Sequence, residues 1–410
     1  MKGMSDCREP LRLGLEMISP KGWTGGAQYI RNLIYCLAGL PESEQPIVRL
    51  LGAEPNDPAV QELRTFPFIE SVSETITPAG SLSRIWRGVT RRIVGRVAWG
   101  AATRSVDVTY PGFAPPLPGV AQMKWLPDLQ HVHLPHFFSA EELSARADWI
   151  AALARSRGIL VLSSEAALAD FLKLCPHPAT TPQVWSFCTV LTEHETGGRN
   201  PRDAYGLPAK FAYLPNQFWA HKDHLTAFEA LAKLRQRGLD LPLVCTGLEE
   251  DRRNPDHFAR LMRYLSENGI DGAVRCLGLV PRNDQMEIFR HASVVIQPSL
   301  FEGWSTVVED AKAVGRPIIA TDLPVHREQL EGYDPAWLFR PSAAEELAAL
   351  LERVWPQLSA GPEAERERMA GRHTERRRQD AARRFISIAQ AAKALHDARR
   401  AGMARRADGQ

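Results

Sequence analysis

Strand-length apolar runs, each feeding a glycine- or proline-bearing turn and then an amphipathic helix, recur along this chain in two blocks. The first block opens at LRLGLEMISPKGWTGGAQYIRNLIYCLAGL, residues 11–40. It reads as a strand over about 11–18, a Gly/Pro-rich turn, and a helix with Ile30, Leu33, Ile34 and Leu37 on one face. VDVTY (106–110), ILVLSS (159–164) and VWSF (184–187) continue the rhythm. A polar stretch, TEHETGGRNPRDAYGLP (192–208), interrupts it and reads as a linker between domains. The rhythm restarts with FAYLP (211–215), the helix HLTAFEALAKLRQRG (224–238), and the apolar runs PLVCTG, VRCLG, SVVIQPS and PIIAT. Strands this uniformly apolar are usually parallel and covered on both faces, so the pattern predicts two doubly wound α/β domains. We place them at 1–195 and 196–375, with a basic helix and tail over 376–410. Phe385, Ile386, Ile388, Ala389, Ala392 and Leu395 give that helix an apolar stripe.

Composition narrows the function classes. Lys and Arg number 50 against 48 Asp and Glu, so there is no global basic field of the kind that a nucleic-acid binder carries. The six cysteines form no CxxC pair or Cys/His cluster, which argues against a disulfide framework or structural zinc. The apolar runs all fall short of the ~20 residues of a membrane helix, and MKGMSDCREP lacks the apolar centre of a secretory leader. We therefore expect a reduced, cytoplasmic setting.

The strongest chemical signal is FEGWSTVVEDAKA, residues 301–313, just beyond the strand SVVIQPS. Open α/β sheets bind ligands past the carboxyl ends of their strands. Thr306 and Glu309 fit a capping box, with Thr306 as N-cap and Glu309 reaching back. The helix start then offers free amides that suit an anion such as a diphosphate. On this reading Glu302 and Asp310 remain free, and carboxylates at such places suit the vicinal hydroxyls of a sugar or ribose. A second cluster, WLPDLQHVHLPHFFS (125–139), holds His131, His133 and His136, but no carboxylate or Cys at ligand spacing accompanies them.

PSLFEGWSTVVEDAKAVGRPIIATDLPVHREQ resembles the donor-site signature of the family-4 retaining glycosyltransferases (glycosyl transferases group 1). The resemblance implies the GT-B fold: two Rossmann-like domains facing each other across a cleft, with a C-terminal helix crossing back to the first. The amino-terminal domain then holds the acceptor and the carboxy-terminal one the nucleotide sugar. The family signature is a Glu beside the transferred sugar, seven residues, then a Glu on the ribose. Here Glu302 matches the first, and counting eight on gives Asp310, with Glu309 as the alternative. Gly303, Trp304, Ser305 and Thr306 fall in the implied donor loop. YLPNQFWAHKDHLTAFEAL (213–231) resembles the strand–loop–helix whose Arg and Lys neutralise the donor diphosphate. Lys222 matches the Lys, whereas Gln217, next to Asn216, stands where the Arg belongs; Arg282 is a candidate to replace that charge. A histidine of the amino-terminal domain near the sugar is implied at His131, with Asp128 as neighbour, while His133 and His136 stay ordinary loop residues. Gly25 and Gly26 match the family's glycine turn after the first strand.

The implied activity is retaining sugar transfer from a nucleotide-diphosphate donor to a glycan or lipid-linked acceptor, in cell-envelope polysaccharide synthesis, with no metal or other cofactor. Two alternatives stay open: a GT-B nucleotide-sugar epimerase, and a non-catalytic nucleotide-sugar-binding protein. SLSRIWRGVTRRIVGRVAWGAATR (81–104) is rich in Arg, free of acid and carries two Trp. It reads either as a peripheral anchor on the anionic inner face of the cell membrane or as a core helix with a solvated basic face.

Overall fold

The computed structural model describes residues 9–18, 24–73, 106–114, 116–192 and 195–407. The Arg-rich segment 81–104 lies outside the described residues.

The amino-terminal domain is built on a parallel seven-stranded sheet. Its strands are β1 (Arg12–Glu16), β2 (Ile47–Leu51), β3 (Ile69–Ser73), β4 (Val108–Tyr110), β5 (Ala121–Leu126), β6 (Ile159–Leu162) and β7 (Thr181–Val184). They lie in the order β3-β2-β1-β4-β5-β6-β7. The carboxy-terminal domain has a parallel six-stranded sheet of β8 (Ala212–Leu214), β9 (Leu243–Cys245), β10 (Val274–Cys276), β11 (Val294–Gln297), β12 (Ile318–Thr321) and β13 (Ala336–Phe339). Its order is β10-β9-β8-β11-β12-β13. Both orders reverse direction once, between β1 and β4 and between β8 and β11, which is where a doubly wound sheet opens a crevice. Continuous apolar composition explains the buried central strands: ILVL in β6 and VVIQ in β11 are buried along their whole length. Strands β2, β3, β5 and β13 went unread in the sequence. Alternating polar positions break up the apolar signal of β3 (IESVS) and β5 (AQMKWL), whereas β2 (IVRLL) and β13 (AWLF) are short apolar runs that were simply not singled out.

The helix Ala364–Ala407 runs unbroken and joins the two domains. Its apolar stripe enters the first domain's core, where Phe385, Ile388, Ala389 and Ala392 are buried. Phe385 meets Tyr110 and Trp185 edge-on at 5.1 and 5.4 Å. Trp185 in turn donates its indole N–H to the Ala381 carbonyl at 2.9 Å. About two turns before this stripe, Arg377 donates to Glu309 of the second domain at 2.5 Å. The helix therefore crosses back to the first domain, as the resemblance implies.

The linker is held by Asp284 on the helix Arg282–His291. This carboxylate is nearly inaccessible and accepts from the Arg199 amide and guanidinium and from the Tyr205 hydroxyl. The Arg199 hydrogen bonds hold its pKa down at about 2.

Truncating Phe385→Ala should cost about 3–5 kcal/mol, as deletion of a buried aromatic does, and lower the urea midpoint accordingly. A loss under about 1 kcal/mol would show that the crossing helix is not part of the first domain's core. Asp284 has a depressed folded pKa, so its contribution is present above its unfolded pKa of about 3.9 and disappears as pH falls toward 2. The stability gap between the native chain and Asp284→Asn should narrow between pH 4 and pH 2; a constant gap in pH-resolved urea titrations would refute that coupling.

Candidate active site

The carboxyl ends of the two sheets face each other across a cleft of about 1130 Å3. On the second domain, β8 runs into Pro215-Asn216-Gln217 and β11 ends at Gln297, on either side of the sheet's crevice. Asn216 bridges that crevice by donating to Gln297 Oε1 at 2.6 Å. The buried Gln297 amide is thereby turned so that its Nε2 donates to Glu302 Oε1 at 2.7 Å and reaches Ser299 and Ser305 at 3.1 Å. From the opposite loop Lys222 donates to the same Glu302 oxygen at 2.6 Å. Glu302 Oε2 has no partner in this network. Lys222 keeps two of its three N–H donors for a ligand.

The electrostatics follow from this packing. Burial pushes the Glu302 carboxyl up, but Lys222 outweighs it and holds the group below its ordinary value, so Glu302 is ionised. His221 lies beside Lys222. Burial first, and the lysine's charge second, push its imidazole down to about 3, so it is neutral at physiological pH.

The helix Thr306–Ala313 begins one residue earlier than the capping-box reading requires. Ser305, with extended backbone, is the N-cap and accepts from the Val308 amide at 3.4 Å; Thr306 already lies in the helix. With Ser305 as cap, the box position falls on Val308, so no box can form. Gln329 takes over instead, accepting from the Ser305 amide at 3.0 Å and donating to Glu309 at 3.2 Å. Glu309 is thus structural in a different way. It is buried among Gln329, Lys312 and Arg377 and does not line the cleft, whereas Asp310 does. Thr306 and Val307 line the cleft at the helix start.

Asp310 also lines the cleft, but it is not free. Thr189 donates to its Oδ1 at 2.8 Å, and Arg282 grips both oxygens at 2.6 and 2.7 Å. A carboxylate has about four acceptor positions, so one remains on Oδ2 for a ribose hydroxyl. Arg282 is further engaged by Glu195 at 3.2 Å. Its charge is therefore already spent on two carboxylates, which weakens it as a substitute diphosphate ligand.

The first domain meets this site through Pro127–Gln130. Gly303 has no room for a side chain because an added Cβ would sit 2.5 Å from the Pro127 carbonyl oxygen. Its close approach is thus to the facing domain. Trp304 reinforces the seam by donating to the Phe187 carbonyl at 2.9 Å. Asp128, Gln130 and His136 line the cleft, whereas His131 does not. Residues Gln130–His133 form a single helical turn that sends His131 inward, edge-on to Phe138 at 6.1 Å. There burial, followed by Arg146, lowers its pKa. His133 pairs with Asp170 at 2.5 Å. Gly25 and Gly26 sit in the first turn of the helix Thr24–Ala38 rather than in a preceding turn; Gly25 reaches the cleft and Gly26 is buried. Gln217 lies at the cleft, with its Oε1 buried and unpaired. Among the described residues no group of three or more His, Cys, Asp and Glu could hold a metal, and no helix is long and apolar enough to cross a membrane.

Sequence reasoning missed Gln297, Thr189 and Gln329. A signal existed for Gln297, a polar residue closing the apolar run SVVIQPS at the crevice strand. Thr189 and Gln329 meet the donor loop only through tertiary packing, and nothing local marks them.

Two crevice-forming parallel sheets, facing sites and a helix crossing between them define the two-domain GT-B fold. Solved structures of similar fold cover nearly the whole chain. Sucrose-phosphate synthase from Thermosynechococcus elongatus superposes with a TM-score of 0.64 at 17% identity, covering 96% of this chain and 100% of that one. The Anabaena protein HepE, solved with UDP and glucose, gives 0.61 at 18% identity, covering 93% and 98%. Residues 207–370 match the family model for glycosyl transferases group 1. That match lies within the carboxy-terminal domain, which is thus similar to this family over most of its length. A D-inositol 3-phosphate glycosyltransferase of Corynebacterium urealyticum is 31% identical over 137 residues, covering 31% of this chain and 31% of that protein. The alignment thus spans about a third of that relative's length.

Gly303→Ala should force the seam apart and cost about 1–3 kcal/mol, because backbone rather than a flexible side chain blocks the new methyl. An unchanged urea midpoint would mean that the Pro127 contact is not maintained in solution.

Proposed function

We propose that the chain is a retaining glycosyltransferase that moves a sugar from a nucleoside-diphosphate donor to a hydroxyl of a glycan or lipid-linked acceptor. The observation that carries this reading is the Lys222–Glu302 pair, held by Gln297 at the crevice of the second sheet and facing the first domain. An ammonium with two unused donors, beside the open amides of a helix start, suits a diphosphate. An ionised carboxylate with one unpaired oxygen suits the hydroxyls of the sugar attached to it. Asp310 takes a ribose hydroxyl through its remaining acceptor position. A cleft of about 1130 Å3 exceeds the roughly 300–1,000 Å3 of a single-ligand site, which leaves room for donor and acceptor together. HepE has been solved with UDP and glucose, and the corynebacterial relative is named for transfer to D-inositol 3-phosphate; both fit this class of reaction.

In this reading the bond between the anomeric carbon and the β-phosphate oxygen breaks with its electron pair left on that oxygen. Lys222 and the Thr306 and Val307 amides stabilise the charge that develops there. The acceptor oxygen bonds to the anomeric carbon on the same face, and its proton passes to the departing phosphate. Closure of the first domain over the site keeps water from competing with the acceptor. No metal or other cofactor is part of this proposal. A role in envelope polysaccharide synthesis, and docking of 81–104 on the inner face of the cell membrane, belong to the same proposal and are tested by flotation with anionic vesicles.

Lys222→Ala should lower kcat about 10²–10³-fold, the usual cost of removing one preorganised charge-stabilising donor. Glu302→Gln keeps the shape of the side chain and should lower kcat with little change in nucleoside-diphosphate affinity. Turnover of UDP-, GDP- and ADP-sugars, read by release of the nucleoside diphosphate, checks both variants. Native rates in both would overturn the assignment.

A further inference from the structure

Five Lys and Arg side chains line the cleft among the described residues: Arg31, Lys222, Arg252, Arg253 and Arg282. Four of them are engaged. Arg31 donates to the Tyr35 hydroxyl at 3.0 Å and to Glu62 at 3.3 Å. Lys222 holds Glu302, and Arg282 is gripped by Asp310 and Glu195. Arg253 crosses to the first domain, reaching Glu142 at 3.4 Å and stacking 4.4 Å above the Phe138 ring. Arg252 alone has no hydrogen bond or ion pair to another described residue.

Its position is nonetheless fixed. Gly247 lies in the loop that follows β9, and an added Cβ there would sit 2.3 Å from the Asn216 carbonyl oxygen, so the two loops touch backbone to backbone. Four residues on, Asp251 accepts from the Ala220 amide at 2.9 Å through one oxygen and from the Arg253 amide at 3.0 Å through the other. Residue 252 is therefore carried on a segment pinned to the loop that bears Lys222, and its backbone is held between two anchored neighbours. A diphosphate brings at least two negative charges, and Lys222 is already shared with a carboxylate. A planar guanidinium with five donors matches two phosphate oxygens at once.

We infer that Arg252 is the second cation of this site and binds the diphosphate of the nucleotide donor across from Lys222. The inference rests on the donor-site reading above. As the sugar leaves, Arg252 stabilises the charge gained by the β-phosphate, while Arg253 keeps its separate task of tying the loop to Glu142.

Isothermal titration with UDP, GDP and ADP, and with the matching monophosphates, tests it. Arg252→Ala should weaken binding of the preferred diphosphate about tenfold to a hundredfold, the scale of one charge-assisted contact, and leave the monophosphate within about twofold. Arg252→Lys should recover part of the loss. Because Arg252 is exposed, an unchanged melting temperature will confirm that both variants fold. If Arg252→Ala binds the diphosphate as tightly as the native chain, or weakens mono- and diphosphate equally, the inference is overturned and the donor site stands. If the native chain binds none of the three diphosphates, the donor-site reading itself fails.

Discussion

The hydrogen bond from Asn216 to Gln297 is the constraint on which the rest of the site depends. It spans the one place in the second sheet where strand order reverses, and it fixes which end of the Gln297 amide points outward. With its oxygen occupied by Asn216, Gln297 presents N–H groups to Glu302 and Ser305. Glu302 can then be ionised while nearly enclosed, because Gln297 and Lys222 both donate to it. Swapping the ends of that amide would face an oxygen against a carboxylate and dismantle the pair.

Around this centre the chain uses its carboxylates for two distinct purposes. Glu309 and Asp310 are neighbours on one helix, about 100° apart, and point to opposite tasks. Glu309 faces away from the cleft and receives Arg377, so it connects the donor domain to the crossing helix. Asp310 faces the cleft and receives Arg282 and Thr189, so it connects the donor loop to the linker side of the first domain. The donor helix is thus gripped from both sides by groups that belong to other parts of the chain. Its first turn is positioned by tertiary contacts as much as by its own cap.

Much of this was legible in the sequence. The two blocks of apolar strands gave the two sheets, and the family resemblance pointed to Asp310, which lines the cleft, while leaving Glu309 open as the alternative. The apolar stripe from Phe385 to Leu395 marked the face that enters the first domain. What local pattern could not supply was competition between adjacent candidates. Ser305 and Thr306 both carry a hydroxyl, and only the backbone angles decide which one caps. His131, His133 and His136 look equivalent in a row, and only the helical turn at Gln130–His133 turns His131 inward. Asp310 looked free because Arg282 and Thr189 are distant in sequence, at 28 and 121 residues.

The central claim is that the ammonium of Lys222 and the opening amides of the Thr306 helix hold a donor's diphosphate at the crevice of the second sheet. A crystal structure of the chain with a bound nucleotide sugar measures this most directly. The account predicts phosphate oxygens within hydrogen-bonding distance of Lys222 Nζ and of the Thr306 or Val307 amide, with the sugar against Glu302. A diphosphate seated elsewhere, with Lys222 still closed on Glu302 and the helix start empty, would contradict it.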